Sequence, residues 1–354
     1  MTYHQHMVEC SREASFLPEQ TEDHSMMTFG PVPSRRLGRS LGINNIPPKI
    51  CSYACVYCQL GRTPHMSIER QPFYRPETLA GRVRTRVEEV RAAGEGIDYL
   101  CFVPDGEPTL DSNLGHEIEL LRPLGVDIGV ITNASLIWRE DVRDDLMGAD
   151  WVSLKVDAVR ETVWRQIDRP HGKLELASIL DGILAFAEPF RGRLVTETML
   201  VEGLNDGAQA LNDLAHFLER LQPEIAYLSV PTRPPAEEGV RVPDEAVITR
   251  AWGILSDSLE TVECLTGSEG DAFFSSGRIE EDLLSITSVH PMRLESVRAL
   301  LAQSDADWSV VQDLVDQGHL VQTEFGGETF FVRRLASTKP REGSGTKTRH
   351  PTKP

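Results

Sequence analysis

The sequence predicts an α/β fold, a partial parallel (β/α)6 barrel followed by a small C-terminal unit. Two observations predict the barrel. Short apolar runs are followed by amphipathic segments about six times along the chain. Within each run, most residues are apolar, without the switch between apolar and polar residues that is typical of half-exposed strands. Strands buried on both faces have this composition, and strand–helix repetition produces a parallel sheet. The predicted strands are Ser40–Asn44, Asp98–Val103, Asp127–Thr132, Trp151–Val156, Arg193–Val201 and Ile225–Val230.

Helical periodicity occurs in segments that lie between the predicted strands. Over Thr78–Ala93, the residues Leu79, Val83 and Val87 recur every four positions and therefore share one face of a helix. The segment Asp206–Leu221 repeats the pattern. In barrels of this kind the chemistry takes place on the loops that follow the C-terminal ends of the strands, so we expect the functional residues there.

A second unit is predicted after the barrel. Its helices are expected at Glu280–Ser288, Leu294–Gln303 and Trp308–Gln317, and two short strands, His319–Thr323 and Thr329–Arg333, flank a Gly-Gly pair typical of a hairpin. Three helices and a β-wing predict a winged helix-turn-helix. The third helix contains two Asp and no Lys or Arg, whereas helices that read the major groove carry basic and amide side chains. This composition disfavours DNA reading and favours protein docking or substrate capping.

The chain therefore divides into four predicted segments. Residues 27–275 form the barrel and residues 278–335 the winged helix, whereas residues 1–26 and the basic stretch 336–354 are polar tails that we expect to be disordered. No apolar run approaches the roughly 18–20 residues of a membrane span, and the N-terminus lacks a secretory signal, so a cytoplasmic location is predicted. The formal net charge of −18 disfavours a large nucleic-acid footprint.

Three of the six cysteines, Cys51, Cys55 and Cys58, lie within eight residues of one another. In a reducing compartment such a cluster indicates metal ligation before disulfides. Three thiolates leave one iron of a four-iron cubane without a protein ligand, and an open iron can bind a substrate directly. A zinc site is the alternative, with His65 as fourth ligand, but zinc motifs more often pair two CxxC elements and the sequence has no second one.

The spacing CxxxCxxC, with the aromatic Tyr57 before the last cysteine, resembles the motif of the radical S-adenosylmethionine (SAM) superfamily, whose members have a partial TIM-like barrel. The resemblance implies a [4Fe–4S] cluster on the three cysteines, with SAM bound to its open iron. It also implies reductive cleavage of SAM to a 5′-deoxyadenosyl radical that abstracts hydrogen from a substrate. An external one-electron donor, such as flavodoxin or ferredoxin, would supply the electron.

A turn after the second predicted strand supports this resemblance. Its residues Asp105, Gly106 and Glu107 are similar to the superfamily's GGE motif, which contacts the amino group of SAM. Asp105 replaces the first Gly of that motif. A carboxylate and exposed carbonyl groups in a Gly/Pro turn suit an ammonium group, although an ordinary turn between a strand and a helix would look the same.

Polar residues near the ends of the third and fourth predicted strands are the remaining candidates. Asn133, Ser153 and Asp157 are expected to face the mouth of the barrel and to bond the ribose hydroxyls or the carboxylate of SAM. Lys155 is a candidate catalytic residue, because an ammonium group among apolar strand residues requires an anionic partner. Glu107, Glu197 and the SAM carboxylate are its possible partners, and a structural ion pair is an equal alternative.

The stretch Gly30–Asn44 resembles the N-terminal motif of a bacterial and archaeal subgroup of radical SAM iron–sulfur oxidoreductases that is loosely grouped with wyosine tRNA-modification enzymes. Its basic run, Ser34–Arg39, could bind phosphate or brace the cysteine loop. True wyosine synthases carry a second cluster, for which Cys10, Cys101 and Cys264 lack the spacing.

The predicted function is that of a radical SAM enzyme that acts on an unidentified substrate. Three alternatives stay open at this point: a tRNA-modifying enzyme, an activase of glycyl-radical proteins, and a redox-sensing regulator whose cluster controls the winged helix. The acidic charge of the chain and the acidic third helix disfavour the two alternatives that require nucleic acid.

Overall fold

The computed structural model of the chain describes residues 27–64, 66–267, 270 and 273–334. The predicted tails 1–26 and 336–354, together with Cys10 and His65, lie outside these residues. Among the helices that the structure describes, none has both the length and the apolar composition that crossing a membrane requires.

Eight strands form one sheet, in which they lie side by side in the order of the chain. They are β1 (Thr28–Ser34), β2 (Gly38–Ile43), β3 (Tyr99–Phe102), β4 (Asp127–Thr132), β5 (Trp151–Lys155), β6 (Arg193–Met199), β7 (Ile225–Ser229) and β8 (Val262–Leu265). Strands β1 and β2 are antiparallel, and every later neighbouring pair is parallel. The sheet curls into a half barrel, so the predicted α/β partial barrel is confirmed.

Helices connect the parallel strands and cover the outer face of the sheet. They are α1 (Pro76–Ala92), α2 (Leu114–Leu121), α3 (Glu140–Leu146), α4 (Glu161–Ile167), α5 (Leu176–Ala187), α6 (Ala208–Leu221) and α7 (Glu245–Ser256). In α1, Leu79, Val83 and Val87 are fully buried on one face, as their spacing predicts, and Pro76 begins the helix where no backbone N–H is needed. The burial of these faces against the sheet forms the main core.

A separate set of apolar residues fills the inside of the half barrel. Leu37, in the turn between β1 and β2, packs there with Cys101 of β3, Trp151 of β5, Val195 of β6 and Tyr227 of β7. Arg35, in the same turn, donates hydrogen bonds to the carbonyl oxygens of Leu265 (2.6 Å) and Gly267 (3.0 Å), at the end of β8. The turn of the first hairpin therefore reaches across the interior to the last strand.

The C-terminal unit consists of three helices and a three-stranded antiparallel sheet. Its elements are α8 (Ile279–Val289), β9 (Met292–Arg293), α9 (Leu294–Gln303), α10 (Ser309–Asp316), β10 (Leu320–Phe325) and β11 (Glu328–Arg333). The strand order is β10-β11-β9, and the apolar faces of the helices form a common core with β11 and with Phe29 of β1. The predicted helices and both hairpin strands are present; the assignment as a winged helix stays a prediction.

Candidate functional site

A cavity of about 280 Å³ opens where the parallel strands end. The loop after β2, the turn after β3 and the last residues of β4 to β7 contribute to its wall. The predicted site residues that line it are Cys51, Cys55, Tyr57, Cys58, Gly106, Glu107, Asn133 and Lys155, joined by Arg35, Arg36, Glu197, Ser229 and Arg233. Ser153, Asp105 and Asp157 do not line it.

The cysteine loop is held against neighbouring segments by its backbone. The N–H of Val56 donates to the carbonyl oxygen of Ile167 (2.9 Å), and the N–H of Cys58 donates to the carbonyl oxygen of Cys55 (3.1 Å). A further backbone bridge joins Ile50 to Gly106, in the turn after β3. These contacts fix an irregular loop whose three thiols are free and partly buried.

Burial keeps the thiols of Cys51 and Cys55 protonated until a metal binds. It raises the pKa of Cys51 to about 12, with a smaller contribution from the charge of Glu107. It also raises the pKa of Cys55 well above the ordinary value, and the neighbouring carboxylate of Asp168 adds to the effect. Cysteine binds metal as thiolate, so loading of this site must release protons.

The sulfur atoms have polar neighbours that the sequence did not single out. The Nζ atom of Lys49 lies 3.9 Å from Sγ of Cys58, and Sγ of Cys55 lies 3.5 Å from Oδ1 of Asp168. Asn133, which was predicted, has Nδ2 3.6 Å from Sγ of Cys51. Donors near sulfur stabilise the negative charge of a thiolate-bound cluster. Lys49 precedes the first cysteine by two residues, but no sequence signal marks Asp168, which comes from the end of α4.

The chemistry of the donor set suits an iron–sulfur cluster. Cys51, Cys55 and Cys58 are free thiols that line the same cavity. Cysteine thiolates are the ligands of four-iron clusters, and three of them leave one iron without a protein ligand. The three cysteines therefore fit a [4Fe–4S] cluster that keeps one iron accessible from the cavity.

Glu107 is a buried carboxylate, and within the described part of the chain its side chain accepts hydrogen bonds from neutral donors. Its Oε1 accepts from the N–H (3.0 Å) and the hydroxyl (2.6 Å) of Thr109 and from the hydroxyl of Thr132 (2.6 Å), and its Oε2 accepts from the N–H of Asn133 (2.8 Å). Burial raises the pKa of Glu107, and these hydrogen bonds oppose the rise. The donors fix the orientation of the carboxylate without neutralising its charge.

The two residues before Glu107 have different roles. A Cβ atom added to Gly106 would lie 2.0 Å from the carbonyl oxygen of Ile50, so only glycine fits against the cysteine loop. Asp105 replaces the motif's first glycine and is 2% exposed behind the cavity wall. Burial raises its pKa from 3.8 to about 7, although the nearby charge of Lys49 lowers it.

On β6, across the cavity from the turn after β3, Glu197 forms ion pairs with two basic side chains. Nζ of Lys155 lies 3.2 Å from Oε1 of Glu197, Arg36 forms an ion pair with Oε2, and the hydroxyl of Ser229 donates to Oε1 (2.9 Å). Nζ of Lys155 also lies 4.9 Å from the centre of the Tyr57 ring, within the range of a cation–π contact. Of the three partners that the sequence allowed for Lys155, Glu197 is the one that the structure pairs with it.

The remaining predicted residues lie beneath the cavity wall. Asp157 accepts hydrogen bonds from the N–H of Met199 (2.7 Å) and from the hydroxyl of Tyr57, and lies 3.8 Å from Nζ of Lys155. The pKa of Asp168 is raised well above its ordinary value, first by burial and then by the charge of Asp157. Ser153 is 1% exposed. Asp157 can therefore orient Tyr57 and Lys155, whereas Ser153 has no access to the cavity.

Residues 45–218 match the protein family described as the radical SAM superfamily. A UPF0026 protein of Methanocaldococcus jannaschii is 46% identical over 313 residues, which cover 88% of this chain and 97% of that protein. A UPF0026 protein of Synechocystis sp. is 38% identical over 208 residues, covering 58% of this chain and 76% of that protein.

Solved structures with a similar backbone are more distant in sequence. A radical SAM methyltransferase from Sphaerobacter thermophilus has a TM-score of 0.48 and 15% identity, with 64% of this chain and 66% of that one covered. A structure of TYW1 with a lysine-pyruvate adduct bound has a TM-score of 0.48 and 18% identity, with 62% of this chain and 74% of that one covered.

Proposed function

Since the chain belongs to the radical SAM superfamily and, within it, to the UPF0026 family, we propose that it is an enzyme that cleaves SAM reductively at a [4Fe–4S] cluster. One observation supports this proposal above the others. Cys51, Cys55 and Cys58 line the same cavity as the fixed carboxylate of Glu107, so metal ligands and a group suited to an ammonium ion share one space.

When bound, the cluster would supply the electron for the reductive cleavage of SAM to methionine and a 5′-deoxyadenosyl radical. Cys51, Cys55 and Cys58 would hold the cluster as thiolates. Lys49 and the amide of Asn133 lie beside the sulfur atoms and offset their negative charge. An external one-electron donor of the flavodoxin or ferredoxin kind provides the electron.

Glu107 binds the amino group of SAM in this proposal. Four hydrogen bonds from neutral donors fix its carboxylate at the cavity wall before any ligand arrives. Charge-assisted hydrogen bonds to an ammonium group are about twice as strong as neutral ones. Asn133 stands next to both Glu107 and Cys51, where its amide can bond the ribose or the carboxylate of SAM.

Lys155 and Tyr57 form the side of the cavity next to the cysteine loop, and Asp157 lies behind them. Asp157 accepts the hydroxyl hydrogen of Tyr57 and therefore fixes the ring over which Lys155 lies. Apolar side chains, among them Ile131, Val230 and Leu265, complete the wall. A wall of this kind excludes water and stray hydrogen donors from a reactive radical.

The test is anaerobic reconstitution of the cluster, followed by addition of SAM and dithionite and measurement of 5′-deoxyadenosine. We expect the product from the wild-type protein. Cys55→Ala should remove both the visible absorbance of the cluster and the product, whereas Cys264→Ala should keep both because Cys264 is exposed and outside the cavity. An intact cluster in the wild-type protein without any 5′-deoxyadenosine would contradict the proposal.

A further inference from the structure

The C-terminal unit contacts the cysteine loop through Gln59, the residue that follows Cys58. Nε2 of Gln59 donates a hydrogen bond to the carbonyl oxygen of Val289 (2.9 Å), the last residue of α8. Oε1 of Gln59 accepts one from Nη1 of Arg233 (2.7 Å), in the loop after β7. A carbonyl oxygen can only accept and a guanidinium group can only donate, so the two contacts fix the orientation of the Gln59 amide.

Arg233 extends this contact to the residue after α8. Its Nη2 lies 3.1 Å from Nε2 of His290, whose ring meets that of Phe273 edge-on with the ring centres 5.3 Å apart. Gln59 and Arg233 both line the cavity that holds the three thiols. The end of α8 is therefore joined to the wall of that cavity by two neighbouring residues, Val289 through its backbone and His290 through its side chain.

Apolar contacts place the C-terminal unit at the same rim of the half barrel. Phe29 and Val32 of β1 belong to the core of the unit. Val103, which follows β3, packs against that core and also lines the cavity. At the other end of α8, Arg278 pairs with Glu89 of α1 at 3.4 Å. Of the two polar contacts, the one at the C-terminal end of α8 reaches the cysteine loop.

The cysteine loop depends on contacts of this kind for its shape. Between β2 and α1 the described part of the chain contains no helix and no strand of the sheet. The last carbonyl groups of a helix have no partner within it, so the carbonyl oxygen of Val289 needs a donor from elsewhere. A bond that satisfies a helix end and also restrains an irregular loop orders both segments. Because Gln59 is bonded covalently to Cys58, ordering of one residue restrains the other.

We propose that Gln59 couples binding of the cluster to docking of the C-terminal unit, so that the unit is a structural part of the cluster site. In this role Gln59 is a positioning residue that acts through Cys58 and the end of α8. Coupling between two sites is reciprocal, because a bound cluster that favours the docked unit is favoured by that unit to the same extent. This inference rests on the proposed function for one premise, that the three cysteines hold the cluster.

Hydrogen–deuterium exchange of the full-length protein, with and without the reconstituted cluster, tests the coupling. Exchange reports local opening of the backbone, so it measures docking of the unit and not activity. We expect the amides of residues 286–293, at the end of α8 and in β9, to exchange roughly fivefold more slowly when the cluster is bound. Equal exchange in the two forms would overturn the inference.

Gln59→Leu, which keeps a side chain of similar volume and removes both hydrogen bonds, locates the coupling. We expect it to abolish the difference in exchange at residues 286–293 and to speed iron release to a chelator about fivefold. The matched control is Arg278→Gln, which removes the contact with Glu89 at the opposite end of the same helix. It should leave the cluster-dependent difference and the rate of iron release unchanged. Loss of the difference in both variants, or in neither, contradicts a coupling through Gln59.

Two outcomes separate this inference from the proposed function. If the cluster slows exchange at residues 286–293 but the wild-type protein forms no 5′-deoxyadenosine, the proposed function fails and the coupling stands. If 5′-deoxyadenosine forms and exchange is equal with and without the cluster, the coupling fails and the proposed function stands. Circular dichroism identifies a variant that has not folded, and in that case the comparison of the two wild-type forms decides alone.

Discussion

Glu107 and Glu197 are carboxylates on the wall of one cavity, but their partners have opposite consequences for charge. Thr109, Thr132 and Asn133 donate to Glu107 as neutral groups, so its negative charge stays available to a bound cation. Glu197 instead pairs with two basic side chains, so its charge serves to hold those cations. The type of donor, more than the burial of the carboxylate, therefore decides which ligand each part of the cavity wall attracts.

The largest expected effect comes from Gly106→Ala, which disturbs the contact between the turn that carries Glu107 and the cysteine loop. The new Cβ would meet the carbonyl oxygen of Ile50 at 2.0 Å, so the turn must move away from the cysteine loop. We expect a loss of about 3 kcal/mol in the free energy of unfolding, together with a lower iron content after reconstitution. Chemical unfolding and iron analysis measure these changes.

Gly96→Ala is the matched control for this substitution. A Cβ atom at Gly96 meets nothing within 4 Å, and the residue lies far from the cysteine loop in the exposed segment after α1. Its stability and iron content should equal those of the wild-type protein. If Gly106→Ala behaved like Gly96→Ala, the close contact with Ile50 would not support the site.

Glu107→Gln tests the available negative charge directly. We expect the affinity for SAM to fall about 100-fold, because a charge-assisted hydrogen bond to the amino group is lost and the amide nitrogen faces existing donors. Equilibrium dialysis of SAM against the reconstituted protein measures the affinity. Glu197→Gln serves for comparison and should change the affinity for SAM much less; an equal loss in both variants would remove the distinction between the two carboxylates.

Asp105 provides a third case, because it is buried beside the same turn and the backbone N–H and the charge of Lys49 offset only part of the effect of burial on its pKa. Its pKa is about 7 in the folded protein and 3.8 as an ordinary value, so the folded form retains a proton that the unfolded chain has released at intermediate pH. The contribution of Asp105 to stability should therefore be complete below about pH 4. It should fall by about 4 kcal/mol in all as the pH rises to 7 and above, and about 3 kcal/mol of this loss falls between pH 5 and pH 8.

Asp105→Asn should remove this part of the pH dependence and stabilise the protein at pH 8 relative to the wild type. Chemical unfolding at pH 5 and pH 8 provides the measurement. Asp127→Asn, at an exposed position at the start of β4, is the control and should leave the slope unchanged. A wild-type slope that survives in Asp105→Asn would assign the pH dependence to other groups.

The strands that carry the site could be predicted because their apolar runs are long and their helices periodic. Strand β4 has the predicted bounds, and the other five differ by a few residues at their ends. Strands β1 and β8 were not predicted. Pro31 and Pro33 interrupt β1, and prolines normally argue against a strand, whereas β8 has only four residues and includes Glu263 and Cys264, which are exposed.

The sequence could predict which residues lie near the strand ends, but not which of them are buried below the cavity. Trp151, Ser153 and Lys155 alternate along β5 and share its inner face, so the sequence placed Ser153 in the mouth of the barrel. In the structure, Trp151 and Leu37 fill the space beneath the cavity, and Ser153 is buried with them. Contacts of this kind join residues far apart in sequence, as do those of Arg36, and local periodicity contains no information about them.

The smallest expected effect comes from a substitution next to Glu197, the second of the two carboxylates. Ser229→Ala removes a neutral hydrogen bond of that carboxylate and leaves both cations in place. We expect a loss of about 1 kcal/mol in the free energy of unfolding and less than a threefold change in the affinity for SAM. Thr132→Val removes one neutral donor of Glu107, where no cation compensates. It should therefore weaken SAM binding more than Ser229→Ala does, because Arg36 and Lys155 alone suffice to hold Glu197.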